Sequence, residues 1–185
     1  NEFKAINLSQ GFPDFNCYKE LVDLVNHFMK KGFNQYAPMP GTVELRKQIS
    51  LKINRDYGHN YDFEKEITVT AGATQALFTA FSAIINQGDE VIIFEPAYDS
   101  YIPAIVANGG IPISIKLSAN DFSIPWDEVE KAISKNTKCI VINSPHNPTG
   151  AILKETDILQ LQQIVKDTNI FLISDEVYEH IIFDN

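Results

Sequence analysis

Residues 139–150 read CIVINSPHNPTG, a short apolar run followed at once by a loop rich in Asn and Pro that ends in Gly. Ile140–Ile142 is apolar at every position, as expected of a parallel strand that is buried on both faces of a sheet. Val91–Phe94 has the same character. These two runs predict the central strands of a sheet.

Three further runs of strand type lie around these two, and helical segments of roughly ten residues separate most of them. The five predicted strands are Ile67–Ala71, Val91–Phe94, Ile111–Leu117, Cys139–Ile142 and Ile170–Ile173. This alternation is typical of βαβ units, and it predicts an α/β fold with three layers (α/β/α) around a mostly parallel sheet. Ile111–Leu117 alternates apolar and polar residues and contains Pro112, which suits an edge strand.

Residues 1–60 lack this alternation and are predicted to form a loop followed by helices. Apolar residues repeat at helical spacing in two places, at Leu21, Leu24, Val25 and Phe28, and again at Leu45, Ile49 and Ile53. The segment between them, Asn34–Gly41, contains two prolines and is expected to be extended. We therefore divide the chain into an N-terminal segment, residues 1–60, and the front part of an α/β domain, residues 61–185.

The composition excludes several classes of function. Acidic residues outnumber basic ones by 24 to 15, and the net charge of −9 argues against phosphate-backbone binding, which requires clustered Lys and Arg. No apolar stretch approaches the roughly 20 residues of a membrane span. Cys17 and Cys139 form no CxxC pair, and the four histidines lack metal-ligand spacing and are expected to be solvated or capping. We expect a cytoplasmic protein that binds neither nucleic acid, membrane nor metal.

Small and polar residues follow four of the predicted strands. The four segments are Ala71–Thr74, Glu95–Tyr98, Asn143–Gly150 and Ser174–Tyr178. Ligands of open α/β sheets bind outside the carboxyl ends of the strands. The sequence therefore predicts one composite site at this edge.

The segment Gly72-Ala73-Thr74 opens a helix that is predicted to run to about Asn86, and the first turn of this helix contains no acid. Three other predicted helices carry acids near their starts, at Asp99, at Asp127-Glu128, and at Glu155 with Asp157. Because a helix N-terminus favours negative charge, an end without its own acid can receive an external anion such as phosphate. An ordinary tight turn explains this motif equally well.

Asp175 ends an apolar strand that we expect to be buried, where an unpaired carboxylate would be costly. No cation is adjacent in sequence, and a protonated heteroaromatic nitrogen, as in pyridoxal phosphate, would be a suitable partner. Tyr178 and Asn147 could bond the phenolic oxygen of such a ring, and Tyr98 could stack on its face. More ordinary roles stay open, with Asp175 as a helix cap and Tyr178 as a partly buried core residue.

Several segments resemble the class I/II aminotransferases. Asn143–Gly150 resembles their N-x-P-x-N-P-T-G signature, and Ser174–Tyr178 resembles their S/D-D-E-V-Y segment. Leu8–Phe15, Asn34–Tyr36 and Asp89–Pro96 are similar to the methionine and kynurenine aminotransferase branch. These motifs occur in family order and cover essentially the whole chain.

The resemblance implies the large domain of a fold type I pyridoxal-phosphate transferase, incomplete here, and pyridoxal 5'-phosphate as the cofactor. It implies that Gly72, Ala73 and Thr74 contact the phosphate of the cofactor. Tyr98 would lie on the ring face, and Asp175 would pair with the ring nitrogen. Asn147 and Tyr178 would bind the phenolic oxygen. Gly11 would lie near the substrate carboxylate. Tyr36 would reach the phosphate in the neighbouring subunit, which implies a homodimer with shared active sites.

The lysine that forms a Schiff base with the cofactor lies downstream of Asp175–Tyr178 in the family, and so does the arginine that grips the substrate carboxylate. Lys154 is not in the position of that lysine and is expected to be solvated at a helix start. Arg46 and Arg55 are expected to be surface charges. The resemblance therefore implies a fragment without a catalytic residue of its own, which lacks the rest of the large domain and the C-terminal small domain and is inactive by itself.

We expect the intact protein to be an aminotransferase that moves the amino group of a large uncharged amino acid to a 2-oxo acid. Methionine, aromatic amino acids and kynurenine are the leading substrates. One alternative is a pyridoxal-phosphate β-lyase or decarboxylase, because the reaction depends on which α-carbon bond is held perpendicular to the ring. Another alternative is the aminotransferase-like domain of a transcription regulator, with a DNA-binding region upstream of Asn1.

Overall fold

The computed structural model describes Gly11, Pro13 and residues 15–182. The chain divides into two compact units, Asn1–Val69 and Thr70–Asn185. The proposed functional division into residues 1–60 and 61–185 stays a prediction. Leu8–Phe15, part of the resemblance above, lies outside the described residues except for Gly11, Pro13 and Phe15.

The first unit contains two helices, α1 (Lys19–Lys30) and α2 (Val43–Tyr57), at the two places where apolar residues repeat at helical spacing. Glu20 in the first turn of α1 and Lys30 in its last turn complement the helix dipole. α2 ends at Gly58, which takes the left-handed conformation common after a helix. No residue of α1 is buried by the described part of the chain, so its apolar face is left uncovered there.

Arg46 is buried, and the prediction that it is a surface charge is wrong. Its Nε donates a hydrogen bond to the carbonyl oxygen of Gly41 at 3.2 Å, and its Nη1 donates to that of Phe63 at 2.6 Å. The guanidinium therefore holds the loops before and after α2 together. Arg55 is exposed, as predicted, and pairs with the neighbouring Asp56.

The second unit contains a parallel sheet of four strands. They are β1 (Glu90–Glu95), β2 (Ile111–Lys116), β3 (Thr137–Asn143) and β4 (Phe171–Asp175), in the order β2-β1-β3-β4. The remaining helices are α3 (Ala73–Ile84), α4 (Tyr101–Ala107), α5 (Trp126–Ala132) and α6 (Glu155–Val165). β2 lies at one edge of the described sheet, which confirms the prediction from its alternating sequence.

Helices cover both faces of the sheet. Val91 and Ile93 of β1 face a core formed with α3 and α4, whereas Ile92 and Phe94 face a second core formed with α5 and α6. Alternate residues of β1 therefore enter opposite cores, which is why Val91–Phe94 is apolar at every position. The three-layer α/β/α fold is confirmed.

Two predictions about strands are wrong. Ile67–Ala71 forms no strand of the described sheet, although Val69 donates a backbone hydrogen bond to Pro40 at 2.9 Å. A strand needs a neighbour for its ladder, and the described residues provide none for this segment. β4 was expected to be buried, yet it lies at the other edge of the described sheet, with Phe171 48% and Leu172 44% exposed.

Candidate functional site

The carboxyl ends of β1, β3 and β4 lie at one edge of the parallel sheet. Asn143 and Asp175 are the last residues of their strands and are paired in register. A cavity of about 100 Å³ opens beside them, lined by Tyr98, Asn143, Asn147, Asp175, Val177 and Tyr178. Thr74 adjoins this group, because its Oγ1 lies 3.3 Å from the hydroxyl of Tyr98. The structure thus brings together five residues that the sequence singled out from four separate segments.

The helix that follows Gly72 starts as predicted. Gly72 is the N-cap of α3 and has φ +88° and ψ 165°, a conformation that is essentially confined to glycine. The first turn of α3 contains no acid, and its N–H groups have no acceptor within the helix. The amide of Gln75 does not cap them, because its Oε1 accepts the N–H of Ala71 at 2.6 Å. An anion such as a phosphate group is therefore a suitable ligand for this helix start.

Fewer of the other helices carry an acid in their first turn than the sequence predicted. α5 and α6 carry acids in their first turns, as expected. α4 does not, because it begins at Tyr101, after the N-cap Ser100, and Asp99 lies before both. Lys154 is exposed at the N-cap of α6, as predicted, with its N–H donating to Asp157 Oδ2 at 2.8 Å.

Asp175 is held by hydrogen bonds rather than by a cation. Its Oδ2 accepts the hydroxyl of Tyr101 at 2.7 Å, and its Oδ1 accepts the backbone N–H of Val177 at 3.2 Å. Among the described residues no cationic side chain pairs with it. The expectation that Asp175 ends a buried strand was wrong, because β4 is an edge strand here. Its two hydrogen-bond donors come from α4 and from the turn after β4. The contact with Val177 is a local cap of that turn.

Tyr101 is a residue of the site that the sequence did not reveal. Its side chain is 4% exposed, and burial, followed by the hydrogen bond to Asp175, raises the pKa of its hydroxyl well above the usual range. The hydroxyl therefore stays protonated, and a donor, near neutral pH. Its spacing of three residues from Tyr98 was the available signal, and the two rings meet edge to face with centroids 5.7 Å apart.

Asn143 is a second residue whose role in the site the sequence did not reveal, although it belongs to the Asn143–Gly150 motif. Its buried side chain donates from Nδ2 to the carbonyl oxygen of Asp175 at 2.8 Å. Its Oδ1 accepts the backbone N–H of Asn147 at 2.7 Å. Asn143 thereby ties the loop that carries Asn147 to the end of β4.

The remaining candidates belong to the first unit or play a structural role. Gly11 and Tyr36 belong to the first unit, where both are exposed, and their predicted roles stay predictions. His146 is half-buried, its Nδ1 lies 2.8 Å from Thr149 Oγ1, and burial lowers its pKa. No group of metal-ligating side chains occurs in the described part of the chain. In that same part, no helix combines the length and apolar character needed to cross a membrane.

The family model for aminotransferase class I and II matches residues 4–185. This chain belongs to that family. The match includes every segment that contributes to the cavity, from Thr74 to Tyr178.

Relatives within the family differ in the substrates for which they are named. The chain is 46% identical over 182 residues to the methionine aminotransferase of Escherichia coli K12, covering 98% of this chain and 47% of that protein. It is 37% identical to an aspartate aminotransferase of Pyrococcus abyssi, covering 98% and 47%. It is 36% identical to a kynurenine–oxoglutarate transaminase of Dictyostelium discoideum, covering 99% and 46%.

The fold comparison agrees with the sequence comparison. The crystal structure of YbdL from Escherichia coli, for which a methionine aminotransferase function was identified, has a TM-score of 0.96 at 46% identity, covering 100% of this chain and 49% of that one. The chain thus spans about half the length of the curated relatives it matches.

Proposed function

We propose that the intact protein is an aminotransferase that uses pyridoxal 5'-phosphate to move the amino group of a large uncharged amino acid to a 2-oxo acid. One observation carries the proposal. Tyr98, Asn147, Asp175 and Tyr178 line a single cavity, with Thr74 and the acid-free start of α3 beside it. The proposed location of the protein is the cytoplasm.

The chemical groups at this edge suit the cofactor one by one. The phosphate is an anion, and the N–H groups of Ala73 and Thr74 at the start of α3 are donors without an acceptor in the helix. The protonated ring nitrogen is a cation, and Asp175 offers a carboxylate. The phenolic oxygen is an acceptor, and the amide of Asn147 and the hydroxyl of Tyr178 are donors that line the same cavity.

The cavity is smaller than a complete cofactor site, as expected if its lining residues form only one wall of that site. Its volume is about 100 Å³, whereas sites for small molecules usually enclose about 300–1,000 Å³. Residues outside this cavity would have to complete the pocket. In the family these include the lysine and the arginine described above.

Each residue of the wall would have a distinct task in the reaction. When bound, pyridoxal phosphate supplies an electron sink for the carbanion that forms at the substrate α-carbon. Asp175 would keep the proton on the ring nitrogen, because a carboxylate stabilises a nearby positive charge. Asn147 and Tyr178 would fix the rotation of the ring, and Tyr98 would restrain it from one face. The start of α3 would anchor the phosphate.

The degree of identity favours methionine as substrate over an acidic amino acid. The chain shares 46% of residues with the methionine aminotransferase and 37% with the aspartate aminotransferase. Similarity to the kynurenine transaminase supports including aromatic amino acids among the proposed substrates, although its identity of 36% is no higher than that of the aspartate aminotransferase.

The test is a set of half-reactions monitored by absorbance. The intact protein, loaded with pyridoxal phosphate, is mixed with methionine, phenylalanine, kynurenine or aspartate in the absence of an acceptor. We expect methionine or an aromatic amino acid to convert the cofactor to its amino form faster than aspartate does. If none of these amino acids produces the spectral change, the proposed function is wrong.

We also propose a homodimer in which Tyr36 contacts the phosphate bound in the other subunit. The fully exposed side chain of Tyr36 supports this role, since it is free to contact another chain. Subunits carrying Tyr36→Ala and subunits carrying Asp175→Ala, each weakly active, should form mixed dimers with one undamaged site. Recovery of activity on mixing would support shared sites, and no recovery despite demonstrated mixing would contradict them.

A further inference from the structure

The geometry points to Tyr101 as a positioning residue that orients the Asp175 carboxylate toward the ring nitrogen of the cofactor. This inference rests on the proposed function, because it concerns the same site. It adds a task for a side chain that lies behind the cavity wall and does not line the cavity.

The ring of Tyr101 is fixed by the core. It packs in the cluster between the sheet and the helices α3 and α4, together with Leu77, Phe81 and Ile105. A side chain held in this way by close packing has little rotational freedom. Its hydroxyl therefore has a defined position, at the point where the core meets the end of β4.

The hydroxyl directs one oxygen of the carboxylate. It donates to Asp175 Oδ2 at 2.7 Å, while the N–H of Val177 donates to Oδ1 at 3.2 Å. With both oxygens engaged, the plane of the carboxylate is set by two separate elements, α4 and the turn after β4. Each carboxylate oxygen can accept more than one hydrogen bond, so the group can still receive the ring N–H of the cofactor.

The same tyrosine also supports the residue proposed to stack on the ring. Tyr98 meets Tyr101 edge to face, at 82° between the ring planes. The buried side chain of Tyr101 thus contacts both Asp175, proposed to pair with the ring nitrogen, and Tyr98, proposed to stack on the ring. A simpler role is that Tyr101 only joins α4 to β4 and stabilises the fold.

A pair of ligands separates the two roles. Tyr101→Phe in the intact protein removes the hydroxyl and keeps the ring. The dissociation constants of pyridoxal phosphate and of its 1-deaza analogue, in which a C–H group replaces the ring nitrogen, are measured on the same preparation. Their ratio does not depend on the fraction of folded protein. We expect Tyr101→Phe to weaken binding of pyridoxal phosphate about tenfold, the order expected for a hydrogen bond to a charged group, and to change binding of the analogue by less than about twofold.

Two further variants complete the experiment. Asp175→Asn should reduce the preference for pyridoxal phosphate over the 1-deaza analogue. In a protein that already carries Asp175→Asn, Tyr101→Phe should not change the ratio of the two dissociation constants any further. Tyr61→Phe, which removes a hydroxyl from an exposed tyrosine, should leave both constants unchanged.

The outcomes distinguish the inference from the proposed function. Equal weakening of both ligands by Tyr101→Phe, or no weakening of either, overturns the positioning role. If the wild-type protein binds pyridoxal phosphate and Asp175→Asn lowers the preference, the proposed site stands while the inference falls. If the wild-type protein binds neither ligand, the proposed function itself is wrong.

Discussion

Replacing Asn143 with alanine removes the side chain that ties the Asn147 loop to the end of β4. Asn143 makes two hydrogen bonds, one to the carbonyl oxygen of Asp175 at 2.8 Å and one from the N–H of Asn147 at 2.7 Å. The two lost bonds have different consequences. The carbonyl of Asp175 still accepts the N–H of Ser144 at 3.2 Å, whereas the N–H of Asn147 loses the acceptor that the structure gives it.

The expected cost follows from these two losses. A net hydrogen bond contributes about 1 kcal/mol, and a buried donor left without a partner costs about 1–3 kcal/mol. Asn147 is only partly buried, so water can replace some of the lost interaction. We therefore expect Asn143→Ala to lower the free energy of unfolding by about 2 kcal/mol. Because the loop is then no longer held, the affinity for pyridoxal phosphate should fall as well.

Urea denaturation of the intact protein, followed by circular dichroism, measures the first effect, and a cofactor titration measures the second. Asn108→Ala is the matched control, since Asn108 makes a single side-chain hydrogen bond, to the carbonyl oxygen of Ala104 at 2.8 Å. The control should lose about 1 kcal/mol or less and bind the cofactor normally. If Asn143→Ala matches the control in both stability and cofactor affinity, the hydrogen bonds of Asn143 have no energetic role at this site.

Three other substitutions test separate parts of the structure. Gly72→Ala should cost about 1–3 kcal/mol of stability in urea denaturation, because no described atom crowds the position and the cost is purely that of the backbone conformation; a wild-type midpoint would contradict this. Arg46→Met should destabilise the first unit by about 2–4 kcal/mol through loss of two hydrogen bonds to carbonyls, seen as faster hydrogen exchange around Phe63, whereas the exposed Arg55→Met should change stability by less than about 0.5 kcal/mol. Burial lowers the pKa of His146, so the unfolded chain binds the proton more readily and stability should fall as the pH drops below about 6.5. His146→Gln should reduce this dependence in melting experiments between about pH 5 and pH 7, and an unchanged slope would show that His146 is not its source.

The elements that the sequence predicted well are those whose signal is local. Val91–Phe94 and Ile140–Ile142 are apolar at every position because their residues enter cores on both faces of the sheet. Pro112 within an alternating run identified the edge strand β2, since a proline cannot donate to a neighbouring strand. Gly72 before an acid-free helical turn indicated the start of α3.

The elements that were mispredicted depend on partners distant in sequence. Ile67–Ala71 has the composition of a strand, but a strand exists only beside a neighbour, and this segment has none among the described strands. The exposure of β4 likewise depends on what lies beside it. Composition describes a segment's preference, whereas pairing and burial are properties of the assembled sheet.

Three polar residues with structural roles were missed for a related reason. Tyr101, Asn143 and Arg46 carry out their roles through one or two side-chain hydrogen bonds each, to residues between 4 and 74 positions away. Such contacts follow no helical or strand periodicity, and only the three-residue spacing of Tyr98 and Tyr101 gave a signal in the sequence. The family resemblance placed the residues that would touch the cofactor, and the structure added those that hold them in place.

We propose that Asp175 pairs with the ring nitrogen of a bound pyridoxal phosphate. Nitrogen-15 magnetic resonance of the intact protein, loaded with cofactor labelled at that nitrogen, reports its protonation directly. We expect a protonated nitrogen in the wild-type protein across neutral and mildly alkaline pH, and an unprotonated one in Asp175→Ala over the same range. An unprotonated nitrogen in the wild-type protein, or a protonated one that persists in Asp175→Ala, would contradict it.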